Sequence, residues 1–100
     1  MFEVETSAGI SIVRTPLIGG NWKMYKDSAG TMSFFETFRP LVEESEHCEI
    51  VICPSFLDLA TAVAATRGTS IRIGAQTLHW AKDGAFTGEV SGARIRAKRL

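Results

Sequence analysis

From Pro16 onward, the apolar residues of this chain fall into runs whose spacing switches between that of a strand and that of a helix. Pro16 to Lys23 reads as a short apolar strand, followed by a loop in which Asp27 or Ser28 is placed to cap a helix. Met32, Phe35, Phe38 and Val42 then recur at helical spacing and predict an amphipathic helix. A kink or restart is expected at Pro40, which lacks an N–H and disfavours helical geometry at Arg39. Cys48 to Cys53 predicts a second strand, closed by Pro54. Ser55 and Asp58 have capping-box spacing, and Phe56, Leu59, Ala60, Val63 and Ala64 form the stripe of a second helix that Gly68 ends. Ser70 to Gln76 predicts a third strand, and His79 to Glu89 a loop of small and aromatic residues.

Strand, helix, strand, helix, strand with short connections is the pattern of right-handed βαβ units, so the fold class is α/β with a parallel sheet. Residues 1 to 13 show no sustained period and read as a loose N-terminal extension, in which Ile10 to Val13 adds a few extended residues.

Composition narrows the class. One hundred residues with 45% apolar content make one small soluble domain. No apolar run is long enough to span a membrane, and Met1 to Glu5 lacks the basic start of a secretory leader, so a cytoplasmic setting is expected. The formal charge of zero hides an asymmetry, because Arg94, Arg96, Lys98 and Arg99 crowd the last seven positions. Four charges without an aromatic partner are a short patch for nucleic acid, and a solvated end is the simpler reading. Cys48 and Cys53 lie five residues apart in one predicted strand, face opposite sides and cannot pair, and with His47 beside one of them they make no zinc site.

The candidate chemistry sits in Gly19-Gly20-Asn21-Trp22-Lys23-Met24. If the strand runs to Lys23, Asn21 and Lys23 share a face and Trp22 takes the other. An ammonium beside an amide at the end of a parallel strand suits a phosphate or a developing enolate oxygen. Gly19-Gly20 matches no phosphate-loop pattern and reads as close backbone packing. His79 reads as a loop-packing histidine without a catalytic role, and Gln76 as a strand-end amide able to orient loops. Phe86-Thr87-Gly88-Glu89 reads as a contact surface at a loop tip.

Gly-Gly-Asn-Trp-Lys-Met at 19 to 24, Ile-Cys-Pro with Phe56 following, and Gly-Ala-Gln at 74 to 76 followed by Gly-Ala-Phe-Thr-Gly-Glu-Val-Ser at 84 to 91 together resemble the triosephosphate isomerase family, over about Pro16 to Gly92. The resemblance implies a partial (β/α)8 TIM barrel, roughly its first three βα units. It also implies a cofactor-free, metal-free isomerase of glycolysis and gluconeogenesis that interconverts dihydroxyacetone phosphate and glyceraldehyde 3-phosphate as a homodimer. Asn21 and Lys23 would bind substrate, Lys23 as the catalytic cation near its phosphate and carbonyl oxygen. Met24, Gln76, Phe86, Thr87 and Glu89 would belong to the dimer interface, with Thr87 near the partner's site.

Thr77 stands where the family usually has asparagine and Ser55 where a second proline is common, and the N-terminus is about ten residues longer than usual. The expected division is an extension at 1–15, barrel units at 16–92 and a divergent basic tail at 93–100. The tail replaces an apolar helix, which suggests a reading frame truncated or frameshifted after Gly92. The family's histidine electrophile, glutamate base and later phosphate loops have no counterparts here, so the chain is expected to be inactive and marginally stable alone. The alternative is a non-catalytic α/β interaction module whose basic tail contacts nucleic acid or a protein partner.

Overall fold

The computed structural model describes residues 2–6 and 9–97, with residues 2–6 and 9–13 followed by their backbone only. Strands β1 (Phe2–Thr6) and β2 (Gly9–Val13) pair antiparallel, Phe2 opposite Val13 and Thr6 opposite Gly9. They form a two-stranded sheet of their own. The expected extended segment at Ile10 to Val13 is therefore β2. The loose extension gives way to a hairpin, because Phe2-Glu3-Val4 and Ile10-Ser11-Ile12 each alternate at the period of a strand.

The second sheet has the order β3–β4–β5, from β3 (Leu17–Asn21), β4 (Glu49–Cys53) and β5 (Arg72–Ile73), and both pairings are parallel. Helix α1 (Ser28–Val42) links β3 to β4, and a 3-10 turn (Phe56–Asp58) with helix α2 (Leu59–Ala65) links β4 to β5. A short helix α3 (Gly92–Ala97) closes the described chain, and Lys98 and Arg99 of the basic tail lie outside the described residues. The expected α/β arc of parallel strands covered by helices is what forms.

Asp27 is the α1 cap. Its Oδ1 accepts from the Gly30 N–H at 2.8 Å, and its main-chain oxygen accepts from Thr31 N and Thr31 Oγ1. Two details of α1 differ from the pattern reading. The helix runs unbroken through Pro40, because a proline three residues from the end removes only one bond from the last turn. Met32 is exposed and Thr31 is buried in its place, its hydroxyl satisfied within the helix.

The α2 stripe also shifts. Leu59, Ala62 and Ala65 are buried while Ala60 and Ala64 are exposed. The 3-10 turn before α2 advances about 120° per residue rather than 100°, which rotates the face that meets the sheet. Ser55 makes no capping bond to the backbone through its side chain. Its hydroxyl instead donates to Asp58 Oδ2 at 3.3 Å, and Ser28 Oγ donates to Asp58 Oδ1 at 2.7 Å. Buried Asp58 thus joins the start of α1 to the β4–α2 connection.

The core lies between sheet and helices. Phe35, Ile50, Ile52, Ala62, Ala65 and Ile71 form it, with Trp22, Phe34, Phe38 and Cys48 packed against it. Arg39 crosses from α1 to donate to the Ala65 and Arg67 carbonyls, which satisfies orphan groups at the end of α2. Both cysteines are free, Cys48 against the core and Cys53 at the end of β4.

Candidate functional site

The C-terminal ends of three parallel strands converge on Asn21, Lys23, Cys53 and Gln76. Strand β3 ends at Asn21, earlier than the pattern suggested, so strand alternation does not reach Lys23. Pairing continues through one further bond, Trp22 N–H to the Cys53 carbonyl at 3.1 Å, before the chain turns. The turn closes with Tyr25 N–H donating to the Trp22 carbonyl at 3.1 Å. Lys23 sits inside it at φ 54°, a left-handed conformation that costs a non-glycine residue roughly 1–3 kcal/mol.

Two side chains hold that conformation. Asn21 Oδ1 accepts from the Lys23 N–H at 2.9 Å. Gln76 Nε2 donates to the Lys23 carbonyl at 2.7 Å and to the Cys53 carbonyl at 3.0 Å. Asn21 and Lys23 are therefore brought together by a local hydrogen bond rather than by sharing a pleat. Both are exposed at the strand ends.

Trp22 is turned the other way, into the helix layer. It stacks on Phe35 with centroids 5.7 Å apart and meets Phe34 edge-on at 4.9 Å. Lys26 Nζ lies 5.6 Å from the Trp22 ring and 5.7 Å from that of Phe34, a second cation on the same loop but directed at aromatic faces. Gly20 fits the close-packing reading, since a Cβ there would stand 3.1 Å from Ile52 Cδ1, whereas Gly19 meets nothing within 4 Å.

The remaining singled-out residues lie on or beside the exposed loops. Met24 is 95% exposed. Phe86, Thr87 and Glu89 are exposed in the third loop, which is pinned back by His79 N–H donating to the Val90 carbonyl at 2.8 Å. His79 packs as expected, between Trp80 and Phe86 at 4.3 and 4.2 Å, with Nδ1 3.9 Å from Glu89 Oε2. Its Nε2 is buried without a partner. A cleft of about 460 Å³ beside this loop is lined by His79, Lys82, Glu89 and Arg94, and by neither Asn21 nor Lys23.

Among the described residues no group of three His, Cys, Asp or Glu side chains is placed to hold a metal, and no helix is long and apolar enough to cross a membrane. Pattern reading missed the Gln76 bridge to Lys23, because a contact spanning 53 residues leaves no local spacing to detect. It also missed the carboxylate beside His79, since residues 79 and 89 meet only when the loop folds back on itself.

Comparison with known proteins agrees with this geometry. The sequence model of the family described as triosephosphate isomerase matches residues 16–98, a stretch that continues past Gly92 through α3. A triosephosphate isomerase from Solibacter usitatus is 67% identical over 85 residues, covering 85% of this chain and 34% of the relative. One from a Picosynechococcus species is 43% identical over 84 residues, covering 83% of this chain and 35% of the relative. The crystal structure of triosephosphate isomerase from Bartonella henselae superposes with a TM-score of 0.76 at 25% identity, over 85% of this chain and 35% of that one. The chain thus spans about a third of the length of the curated relatives it matches. The alternative of a non-catalytic module gains no support, and Arg94 of its basic tail is engaged with Asp83 at 3.1 Å. With parallel strands whose ends present Asn21 and Lys23, and with the family's sequence model matching residues 16–98, this chain belongs to the triosephosphate isomerase family.

Proposed function

We propose that this chain supplies the first βα units of a triosephosphate isomerase and contributes Asn21 and Lys23 to the binding of a triose phosphate. The observation that carries the reading is the constrained turn at the end of β3. There Asn21 Oδ1 and Gln76 Nε2 hold the backbone of a left-handed Lys23 whose side chain is exposed. Lys23 then acts as the catalytic cation. Its charge offsets the phosphate in the ground state and the oxyanion that develops on the carbonyl oxygen, so its larger effect falls on the transition state.

The proton itself is moved elsewhere. The glutamate base and neutral histidine electrophile are known parts of this family's mechanism and find no match in these residues. They would come from further barrel units, which would also cover the open side of the sheet. The same reading places the protein in the cytoplasm, in glycolysis and gluconeogenesis, as a cofactor-free homodimer. Met24, Gln76, Phe86, Thr87 and Glu89 would face the partner, and Thr87 would approach the partner's site. Residues 16–92 form the barrel portion, between the hairpin-bearing extension at 1–15 and the basic segment at 93–100.

The test mixes the chain with a fragment supplying the remaining βα units and follows isomerisation of glyceraldehyde 3-phosphate. Activity that appears only on mixing, and falls by a factor on the order of a thousand with Lys23→Ala, is the expected result. Activity indifferent to Lys23 would overturn the assignment.

A further inference from the structure

We propose that Glu49 and Arg72 form an ion pair on the face of the β3–β4–β5 sheet that points away from the helices, and that this pair leaves the face neutral for the apolar inner side chains of further barrel strands to close over it. The inference rests on the reading of this chain as the first βα units of a barrel, and adds the chemistry of the surface on which the other units dock.

Alternation along each strand decides which residues share that face. Ile50 and Ile52 of β4, and Ile71 just before β5, are buried in the core under the helices, so Glu49, Val51 and Arg72 point to the opposite side. The register agrees. Gly19, Val51 and Arg72 stand side by side across the three strands, and Leu17 stands beside Glu49 one step lower. Gly74 continues the face above Arg72, since a Cβ there would lie 3.5 Å from Val51 Cγ1. Within β3, β4 and β5 the charged residues are Glu49 and Arg72, one of each sign.

Arg72 is opposite Val51, so Glu49 is its diagonal neighbour on the adjoining strand. Such neighbours stand roughly 7–8 Å apart, a gap that long side chains span. At the level of Arg72 the face also has room, because Gly19 has no side chain and nothing lies within 4 Å of where its Cβ would be. Both charged residues are exposed in the chain as it stands, and solvated charges gain little by meeting. Closing a barrel changes that. Its interior is filled by layers of side chains, where a lone guanidinium or carboxylate is strongly disfavoured and removal of one partner from a pair is costly. Arginine suits the task, since it stays charged and meets a carboxylate through two parallel hydrogen bonds.

The counter-charge that each group needs is thus present within this sheet. A face of Leu17, Val51 and two glycines around a self-cancelling pair complements apolar side chains rather than charged ones. The chain spans about a third of the length of its curated relatives, so the strands that cover the face come from outside these residues.

The experiment measures, by titration calorimetry, the affinity of the chain for a fragment supplying the remaining βα units, and follows isomerase activity in the same mixtures. Glu49→Gln and Arg72→Gln should each weaken assembly by a factor on the order of a hundred. The two substitutions together, and the exchanged pair Glu49→Arg with Arg72→Glu, should return to within about tenfold of the wild-type chain. Circular dichroism of the unmixed chain should be the same in every variant, because both groups are solvated there.

Single losses that simply add in the double variant would overturn the pair. A loss with Arg72→Gln but none with Glu49→Gln would overturn it too, by showing that the covering strands bring a carboxylate of their own. Self-association of the unmixed chain that either single variant abolishes would put a second copy on this face and overturn the choice of occupant. If the mixture is an active isomerase and the singles add, the ion pair falls and the functional reading stands. If the wild-type chain does not assemble with the fragment at all, both fall.

Discussion

On the helix-facing side of the β3–β4–β5 sheet, Ile50 and Ile52 are buried among Phe35, Ala62 and Ala65, and Gly20 is packed beneath Ile52. On the other side of the sheet, Leu17 of β3 is 62% exposed and Gly19, next to Gly20, meets nothing within 4 Å. The strands are the same and the backbone ladder is shared, so the difference lies in what each face has been given to touch. The packed face carries the apolar burial that folds the unit. The open face ends in the Asn21 and Lys23 turn and carries polar groups held by hydrogen bonds instead of packing. Ile18 shows the limit of this division. It pairs in register with Ile50 yet remains exposed, because β3 is an edge strand with a neighbour on one side only.

Substitutions can break or sharpen this contrast. The largest effect is expected for Phe35→Ala, which empties the centre of the packed face at a side chain 0% exposed and should cost about 3–5 kcal/mol. Measured on the chain assembled with the remaining βα units, that loss should give the largest drop in urea midpoint of the series. A near-normal midpoint would show that the packed face does not dominate. Asp58→Ala comes next, since it strips the Ser28 and Ser55 hydroxyls of their acceptor inside the helix layer. A loss of about 1–3 kcal/mol in the same measurement is expected.

The two glycines compare the faces directly. Gly20→Ala brings a methyl to 3.1 Å from the tip of Ile52 and should destabilise by about 1 kcal/mol. Gly19→Ala has open space and an ordinary backbone, so it should be neutral or stabilising by about 0.5 kcal/mol. Equal melting shifts for the pair would remove the distinction. Smallest of all, Leu17→Ser should change the midpoint by no more than about 0.5 kcal/mol despite its apolar side chain.

Much of this is legible in the amino-acid sequence. The order of strands and helices, the cap at Asp27, the core position of Phe35 and the packing role of His79 all follow from spacing and side-chain chemistry that act within a few residues. What escaped depends on phase or on distance. The α2 stripe moved because a 3-10 turn changed the angular step, and Met32 lost its core place to Thr31, whose hydroxyl had a partner one turn away. The hairpin at residues 2–13 was too short for its period to stand out. The candidate site was legible as residue types, Asn21 and Lys23 near a strand end, but not as geometry. The Gln76 bridge joins residues 53 positions apart, and the left-handed turn at Lys23 is a backbone conformation that a lysine's residue type does not announce.

The two tryptophans turn the division between packed and open regions into an optical pair. Trp22 is wedged against Phe34 and Phe35 beneath the Lys26 ammonium, while Trp80 is 88% exposed on the third loop. A soluble quencher should therefore extinguish Trp80 emission first and leave a bluer residual spectrum from Trp22. With Trp80 replaced by phenylalanine, the intrinsic fluorescence of this chain would report on the aromatic cluster that carries β3 and, one residue further on, the lysine.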